Sequence, residues 1–268
     1  MKTTLMIQHI AVMLVLLISS VVLVLAAAAP EGPETFTKLN STRRTPSPNA
    51  SITGIAGNIT ELRIAGKTIT QSWQGFVGNV TGTITLDDSA GRALYDWSLA
   101  DPEGEVYATY LTYVDWSLGK VLCWNWTEST GTYLQLGEFE GWTASPSPST
   151  YGGQGCAQDD VDCTNETFSA PGASTHSNFY VGEQLINGTH KMCPRARLYN
   201  GTKSGTFEEV LLYYEDTSTA DGVVYTSILR SDANAYNNNT YDFEMVVAED
   251  GHNGDATTTT FYFYVELE

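Results

Sequence analysis

The chain reads as an all-β protein: an antiparallel β-sandwich, Ig-like or jelly-roll-like, with one hydrophobic helix at its N-terminus. Three observations lead there. From Ile55 onward, apolar and polar residues alternate with period two in segment after segment. Turn-forming dipeptides stand between those segments. Past residue 29, no stretch carries the i, i+3, i+4 apolar pattern of an amphipathic helix.

After Lys2, no formally charged residue occurs until Glu31. The apolar run 10–29 would be about 30 Å long as a helix. Read as a signal peptide, it offers the small residues Ala26-Ala27-Ala28 for cleavage before Ala29. Read as an uncleaved anchor, it is long enough to hold the protein at a membrane. Both readings export the remainder, to the extracellular side or the cell surface. Residues 30–52 are rich in Pro, Ser and Thr and form a linker. Residues 53–268 form the β domain. An insertion over 143–177 would divide it into halves at 53–142 and 178–268. That insertion alternates Ser and Pro, then brings Gly152, Gly153 and Gly155, then two close cysteines.

The strands follow from the alternation. Over 79–86, Val80, Ile84 and Leu86 share one face and Asn79, Thr81, Thr83 and Thr85 the other. Over 93–99, Ala93, Tyr95, Trp97 and Leu99 share a face; over 241–247, Tyr241, Phe243, Met245 and Val247 do. At the C-terminus Phe261, Phe263, Val265 and Leu267 oppose Tyr262, Tyr264, Glu266 and Glu268. Further strands are expected at 61–64, 68–73, 106–116, 121–126, 133–136, 209–214 and 223–229. Asn187-Gly188 and Asn200-Gly201 predict type I′ turns, Asp221-Gly222 leads into a strand, and Asp88-Ser89-Ala90-Gly91 closes a hairpin.

Nine Asn-x-Ser/Thr sequons fall at Asn40, Asn49, Asn58, Asn79, Asn125, Asn165, Asn187, Asn200 and Asn238, out of 14 Asn in all. Chance would give roughly three. The excess points to an exported chain carrying N-linked glycans. The free surface for a partner is then expected in sequon-free stretches such as 86–124 and 205–230. Four cysteines in an exported chain imply two disulfides and allow three pairings. The spacing favours Cys156–Cys163 as a local staple and Cys123–Cys193 as a long-range tie. Asn125 lies between Trp124 and Trp126, so a glycan there puts both indoles in the core and Cys123 on the outer face. That placement conflicts with a buried disulfide unless something crosses the sheet at that point.

The net charge of −18 comes from 31 acids against 13 bases and argues against nucleic acid as a partner. Asp159, Asp160 and Asp162 could offer hard oxygen ligands to Ca²⁺, as could Glu249, Asp250, Asn253 and Asp255. Neither spacing completes a calcium loop, and a solvated acidic loop is the plainer reading. No cofactor is otherwise expected. His9, His176, His190 and His252 belong to no metal or triad motif, and no nucleophile elbow, zinc-protease or phosphate-loop signature occurs. No catalytic residue is therefore assigned, and a non-enzymatic role is expected. The six Trp and 15 Tyr suit a β core, or in exposed positions a sugar-binding platform.

Two stretches carry a resemblance. One runs Trp73-Gln74-Gly75-Phe76-Val77-Gly78-Asn79-Val80-Thr81-Gly82 and continues to Leu86-Asp87-Asp88 and Tyr95-Asp96-Trp97. The other is Tyr241-Asp242-Phe243-Glu244-Met245-Val246-Val247 with the ending Phe261-Tyr262-Phe263-Tyr264-Val265-Glu266. Together they resemble secreted β-rich cell-surface glycoproteins of archaea, the subunits of envelopes and filaments. The resemblance implies a structural or adhesive role, with copies of the same chain as partners, and carries over no active-site residue. No Lys-Gly or Arg-Gly site precedes the apolar run, so the N-terminus does not follow the archaeal pilin pattern. The expected function is a structural surface glycoprotein that assembles with itself, by a route in which 30–52 meets a sheet edge of a neighbour. The alternative is a surface carbohydrate-binding or adhesion module using exposed aromatics or a Ca²⁺ loop.

Overall fold

A computed structural model describes residues 29–70, 73–124, 167–169, 175–189, 193–202, 204–215, 222–249 and 258–268. Every element in them is a strand: β1 (Trp73–Gly78), β2 (Thr83–Asp87), β3 (Ala93–Ser98), β4 (Gly104–Thr109), β5 (Val121–Cys123), β6 (Phe179–Val181), β7 (Gln184–Ile186), β8 (Arg195–Tyr199), β9 (Gly205–Tyr214), β10 (Val223–Ile228), β11 (Ala233–Asn234), β12 (Thr240–Tyr241), β13 (Phe243–Ala248) and β14 (Tyr262–Leu267). All pairings are antiparallel, so the fold is all-β and antiparallel. The expected N-terminal helix lies outside the described residues, apart from Ala29. Among the described residues no helix is long and apolar enough to cross a membrane.

The centre is a six-stranded sheet ordered β14-β4-β10-β9-β5, with β8 also on β9. It draws strands from both sides of the insertion, so 53–142 and 178–268 interleave in it. The ten-residue β9 takes two partners end to end along one edge: β8 opposite Gly205–Val210 and β5 opposite Leu212–Tyr214. Cys123 ends β5 and Cys193 lies just before β8. The structure joins them in a disulfide across that junction, 70 residues apart in sequence.

Both faces of this sheet are covered. Val106 and Ala108 of β4, Leu211 of β9 and Tyr225 of β10 point to one face, where Met245 and Val247 of β13 and Trp124 join them. Tyr107, Val210, Leu212 and Val224 point to the other, under Val114, Trp116 and the β6–β7 hairpin with Phe179, Val181 and Ile186. Each such fully buried side chain contributes about 1.5–3 kcal/mol. Two covered faces also answer the difficulty at residues 123–125. Trp124 faces the first cluster and Cys123 the second, so neither needs solvent. Asn125 itself lies outside the described residues.

Above the first face lies a two-stranded sheet of β1 and β13, with Phe76 opposite Met245 and Gln74 opposite Val247. The outer edge of β13 is closed by side chains rising from the central sheet. Val246 N–H donates to Glu209 Oε2 (2.8 Å), Ala248 N–H to the Tyr225 hydroxyl (3.1 Å), and Ser227 Oγ donates to Glu244 O (2.8 Å). β1 has a strand neighbour on one side only among the described residues.

Several sequence expectations are corrected. No strand forms over 61–64; those residues are exposed and outside any element, and the first strand begins at Trp73. The strand expected over 79–86 begins at Thr83, because Asp242 captures the preceding turn: its carboxylate accepts the Val80 N–H at 2.8 Å. The strand expected over 106–116 ends at Thr109. The Asn200-Gly201 turn closes the β8–β9 hairpin but is not type I′, because neither residue has positive φ. Its Asn200 Oδ1 instead accepts N–H groups of Thr202 and Ser204 and the Thr202 hydroxyl. Asn187-Gly188 likewise lacks positive φ and follows β7; the β6–β7 turn uses Gly182, at φ 55°. The Asp88–Gly91 hairpin forms as its sequence requires. Gly91 takes φ 70°, and Asp88 Oδ1 accepts from Ala90 and Arg92.

Candidate assembly surface

The seven described sequon asparagines lie at or near the surface. Asn40, Asn49, Asn58, Asn79 and Asn238 are exposed, and Asn187 and Asn200 are half-buried. In the sequons at Asn187 and Asn200 the amide oxygen accepts both the N–H and the hydroxyl of the Thr two residues on, at 2.7–2.9 Å. That Asx turn engages the amide through its oxygen, while a sugar attaches through the nitrogen. The turns at Asn200 and Asn238 are neighbours: a Cβ at Gly201 would lie 1.6 Å from Asn238 Oδ1. Asn125 and Asn165 lie outside the described residues. So do Cys156, Cys163, the acidic group Asp159, Asp160 and Asp162, the residues Asp250, Asn253 and Asp255, and His9, His190 and His252. Among the described residues no group of three or more His, Cys, Asp or Glu could hold a metal ion.

His176 is the one described histidine, and it acts as a brace. Its Nε2 accepts the Cys193 N–H (3.2 Å), which leaves Nδ1 to donate to Ser177 O (2.7 Å). Both nitrogens are thereby engaged, and burial holds the imidazole below its usual pKa. Beside it, Glu208 accepts the Ser177 N–H and pairs with Arg197 at 3.0 Å and Arg195 at 3.5 Å. Burial pushes Glu208 up, but hydrogen bonds from Ser177 and the cations Arg197 and Arg230 outweigh it, and the carboxyl sits below its ordinary range. This network clamps the segment before β6 to the β8–β9 hairpin and to the disulfide. Sequence reading missed it because its members come from three separate segments.

The acids on the second face are another surprise. Glu266, expected on a solvent face, is buried with Glu105 directly opposite it in the register. It accepts the Tyr107 hydroxyl (2.7 Å) and the Gly182 N–H (2.9 Å). Burial, with Glu266 and Glu268 alongside, pushes Glu105 up to about 9, and burial pushes Glu266 up to about 7. Burial also raises Glu209 well above its usual value. Glu105 and Glu266 are thus both held uncharged in mildly acidic solution, while Glu209 lies on the opposite face, where it accepts the Val246 N–H.

The aromatics divide. Trp116 and Trp124 are buried, and Trp73 is half-buried against Phe168. Trp97 is 50 % and Tyr95 59 % exposed, on a β2–β3 hairpin exposed along its whole length. Their rings touch at 4.8 Å but tilt by 58°, which gives no flat platform. The stretch 205–230, expected to offer free surface, supplies β10, buried at every residue, and β9, buried over most of its length.

Two apolar features remain open. The first is the flank where the upper sheet stops at β1. Phe76 meets Phe261 and Phe263 edge-on at 5.8 and 5.1 Å, and these three, with Val80, Val265 and Leu267, stay half-buried beside the first core cluster. The second is the arm 32–70. It leaves β14 after Glu31 exchanges two backbone hydrogen bonds with Val265 and Phe36 packs on Phe263 at 4.9 Å. Beyond that, Leu39, Ile52, Ile55, Ile59, Leu62 and Ile64 are all exposed. No protein-family model, no curated protein and no solved structure matches this chain.

Proposed function

We propose that this protein is a structural cell-surface glycoprotein, exported by its N-terminal segment and built as a β-sandwich that assembles with copies of itself into an envelope layer or filament. The observation that carries the reading is the apolar surface left uncovered in one copy. Large apolar surface left uncovered marks an interaction site; here the arm exposes Leu39, Ile52, Ile55, Ile59, Leu62 and Ile64, and the flank beside β1 is only half-buried. The sequons support the same reading: wherever described, they lie at or near the surface, where glycans would solvate the outside of an assembly. The role asks nothing of the carboxyls or of His176 beyond holding the fold.

The alternative is a surface carbohydrate-binding module. It draws on Tyr95 and Trp97, the exposed ring pair of the β2–β3 hairpin. Their 58° tilt disfavours stacking of one sugar on both rings, so the structural role is preferred.

Electron microscopy of the native envelope, with sedimentation of the purified glycoprotein, tests the proposal. Sheets or filaments, and a sedimenting fraction that grows with concentration, are expected. A monodisperse monomer under both conditions would end the structural reading. Intact mass before and after deglycosylation should fall by several glycans; an unmodified mass would remove the glycoprotein part.

A further inference from the structure

We infer that residues 59–66 of one copy add as a strand beside Gly75–Gly78 of β1 in a second copy, seating Leu62 and Ile64 on the flank formed by Phe76, Phe261 and Phe263. The inference rests on the self-assembly reading and names its contact.

The segment has the right pattern for that position. Leu62, Ile64 and Gly66 fall on one face of an extended chain, with Glu61, Arg63 and Ala65 on the other. A strand that closes the flank of a sandwich needs apolar residues inward and polar residues outward. Within its own copy the segment finds no such place. Leu62 is 56 % and Ile64 84 % exposed, and Ile59 is fully so. The pattern of a strand is present and its sheet is missing.

The acceptor has the complementary deficiency. The upper sheet holds two strands over a much wider lower one. The edge of β13 is closed by Glu209, Tyr225 and Ser227, and the edge of β14 meets the copy's own Glu31. In the upper sheet that leaves the side of β1 away from β13, which has no strand beside it among the described residues. A strand laid beside Gly75–Gly78 would cover the half-buried Phe76 and Phe261, lie next to Phe263 beyond its contact with Phe36, and offer main-chain partners there in place of the exposed Gln74 amide that now donates to Gly75 O.

Charge and reach agree. Residues 30–70 hold Lys38, Arg43, Arg44, Arg63 and Lys67 against Glu31, Glu34 and Glu61. Residues 71–268 hold seven bases and 28 acids. A cationic arm meeting a strongly acidic body is steered toward it and toward no second arm. Residues 37–58, between the contact at Phe36 and the segment, span at most about 75 Å when extended. A domain of some 200 residues has a radius of gyration of about 16 Å, so the arm reaches well past its own body. Charge and pattern together put the contact downstream of 30–52, whose prolines cannot donate to a ladder.

The test places a photo-crosslinking phenylalanine analogue at position 64 of the full-length glycoprotein and co-assembles isotope-labelled with unlabelled copies. Crosslinks from position 64 to peptides of β1 or β14, in mixed-isotope pairs, are expected. Same-isotope pairs alone would mean that the arm folds back on its own copy, and crosslinks to other peptides would mean another docking site; either overturns the inference while self-assembly stands. A second arm uses the double substitution Leu62→Asp and Ile64→Asp at neutral pH. The sedimenting fraction should fall at least tenfold with the melting temperature unchanged, and a peptide of residues 58–68 should inhibit wild-type assembly. Undiminished assembly of the variant overturns the inference. A wild-type protein that never assembles removes this inference and the self-assembly reading together.

Discussion

The β9–β10 pair and the β2–β3 hairpin are both antiparallel, yet they differ in almost every physical respect. Every residue of β10 is buried, and so is most of β9. Every residue of β2 and β3 is exposed. The hairpin alternates cleanly, Ile84 and Leu86 lying opposite Trp97 and Tyr95, with Thr85 opposite Asp96 on the reverse face. β9 does not alternate: its Val210-Leu211-Leu212 run is apolar on both faces because both are covered. Clean alternation marks a strand with one face meant for covering. It does not say whether the cover comes from the same copy.

The sharpest way to break this comparison is to remove the same side chain from each region. At the centre, Trp124→Ala takes an indole from a fully packed site and is expected to destabilise the fold by about 3–5 kcal/mol, read as a lowered denaturant midpoint. Opening the Cys123–Cys193 bond with Ser at both positions releases a loop closed over a separation of 70 residues, and the chain-entropy argument gives about 4 kcal/mol. If either change left the midpoint unmoved, the two-faced sheet would not be the stable centre of the molecule.

The second-largest effect concerns pH. Glu105 is held up to about 9 by burial, with Glu266 and Glu268 adding to it. The groups facing it are acids and phenols: Glu266 and Tyr264 on β14, Glu268 just beyond, Tyr107 on its own strand and Glu103 just before it. The folded state therefore keeps a proton that the unfolded chain loses near pH 4.5. Stability is fully present below pH 4.5 and declines as pH rises from there toward about 9. Glu105→Gln keeps the shape and removes the proton. It should stabilise the protein by about 3 kcal/mol at pH 7, from about 2.5 pH units at 1.36 kcal/mol each, and by almost nothing at pH 4. Melting curves at both pH values check this; an equal shift at both would mean that the carboxyl is not held uncharged.

The same pair of regions shows what the sequence makes legible. The strands at 93–98, 243–248 and 262–267 follow from alternation, and the Asp88–Gly91 turn from its residues. The tie between Cys123 and Cys193 is the long-range pairing that the cysteine spacing favours among three possible ones. The second layer was not legible. Glu266 and Tyr264 look like solvent residues because they oppose Val265 and Phe263, and only the distant Trp116 and β6–β7 hairpin, packed over them, bury the first and half-bury the second. The brace of His176, Glu208, Arg195 and Arg197 was hidden for the same reason. Segment 61–64 has the pattern of a strand, and the single copy leaves it outside any sheet. A local pattern reports what a segment is suited to; the partner that satisfies it is a long-range property.

The smallest effect is also the most discriminating. Trp97→Ala removes an indole of the same size as Trp124, but from a ring half in water and touching Tyr95. Its loss from a single copy should change the unfolding midpoint by no more than about 0.5 kcal/mol, the range of surface substitutions. The measurement is worth making on the monomer and on the proposed assembly in parallel. A monomer that loses as much as it does with Trp124→Ala would show that the hairpin folds onto its own body, and the contrast between the two regions would collapse. A monomer left unchanged, with assembly weakened, would show the apolar face of the hairpin to be covered only by a neighbour. Burial of Ile84, Leu86, Tyr95 and Trp97 would then complete in the assembly what their alternation already encodes.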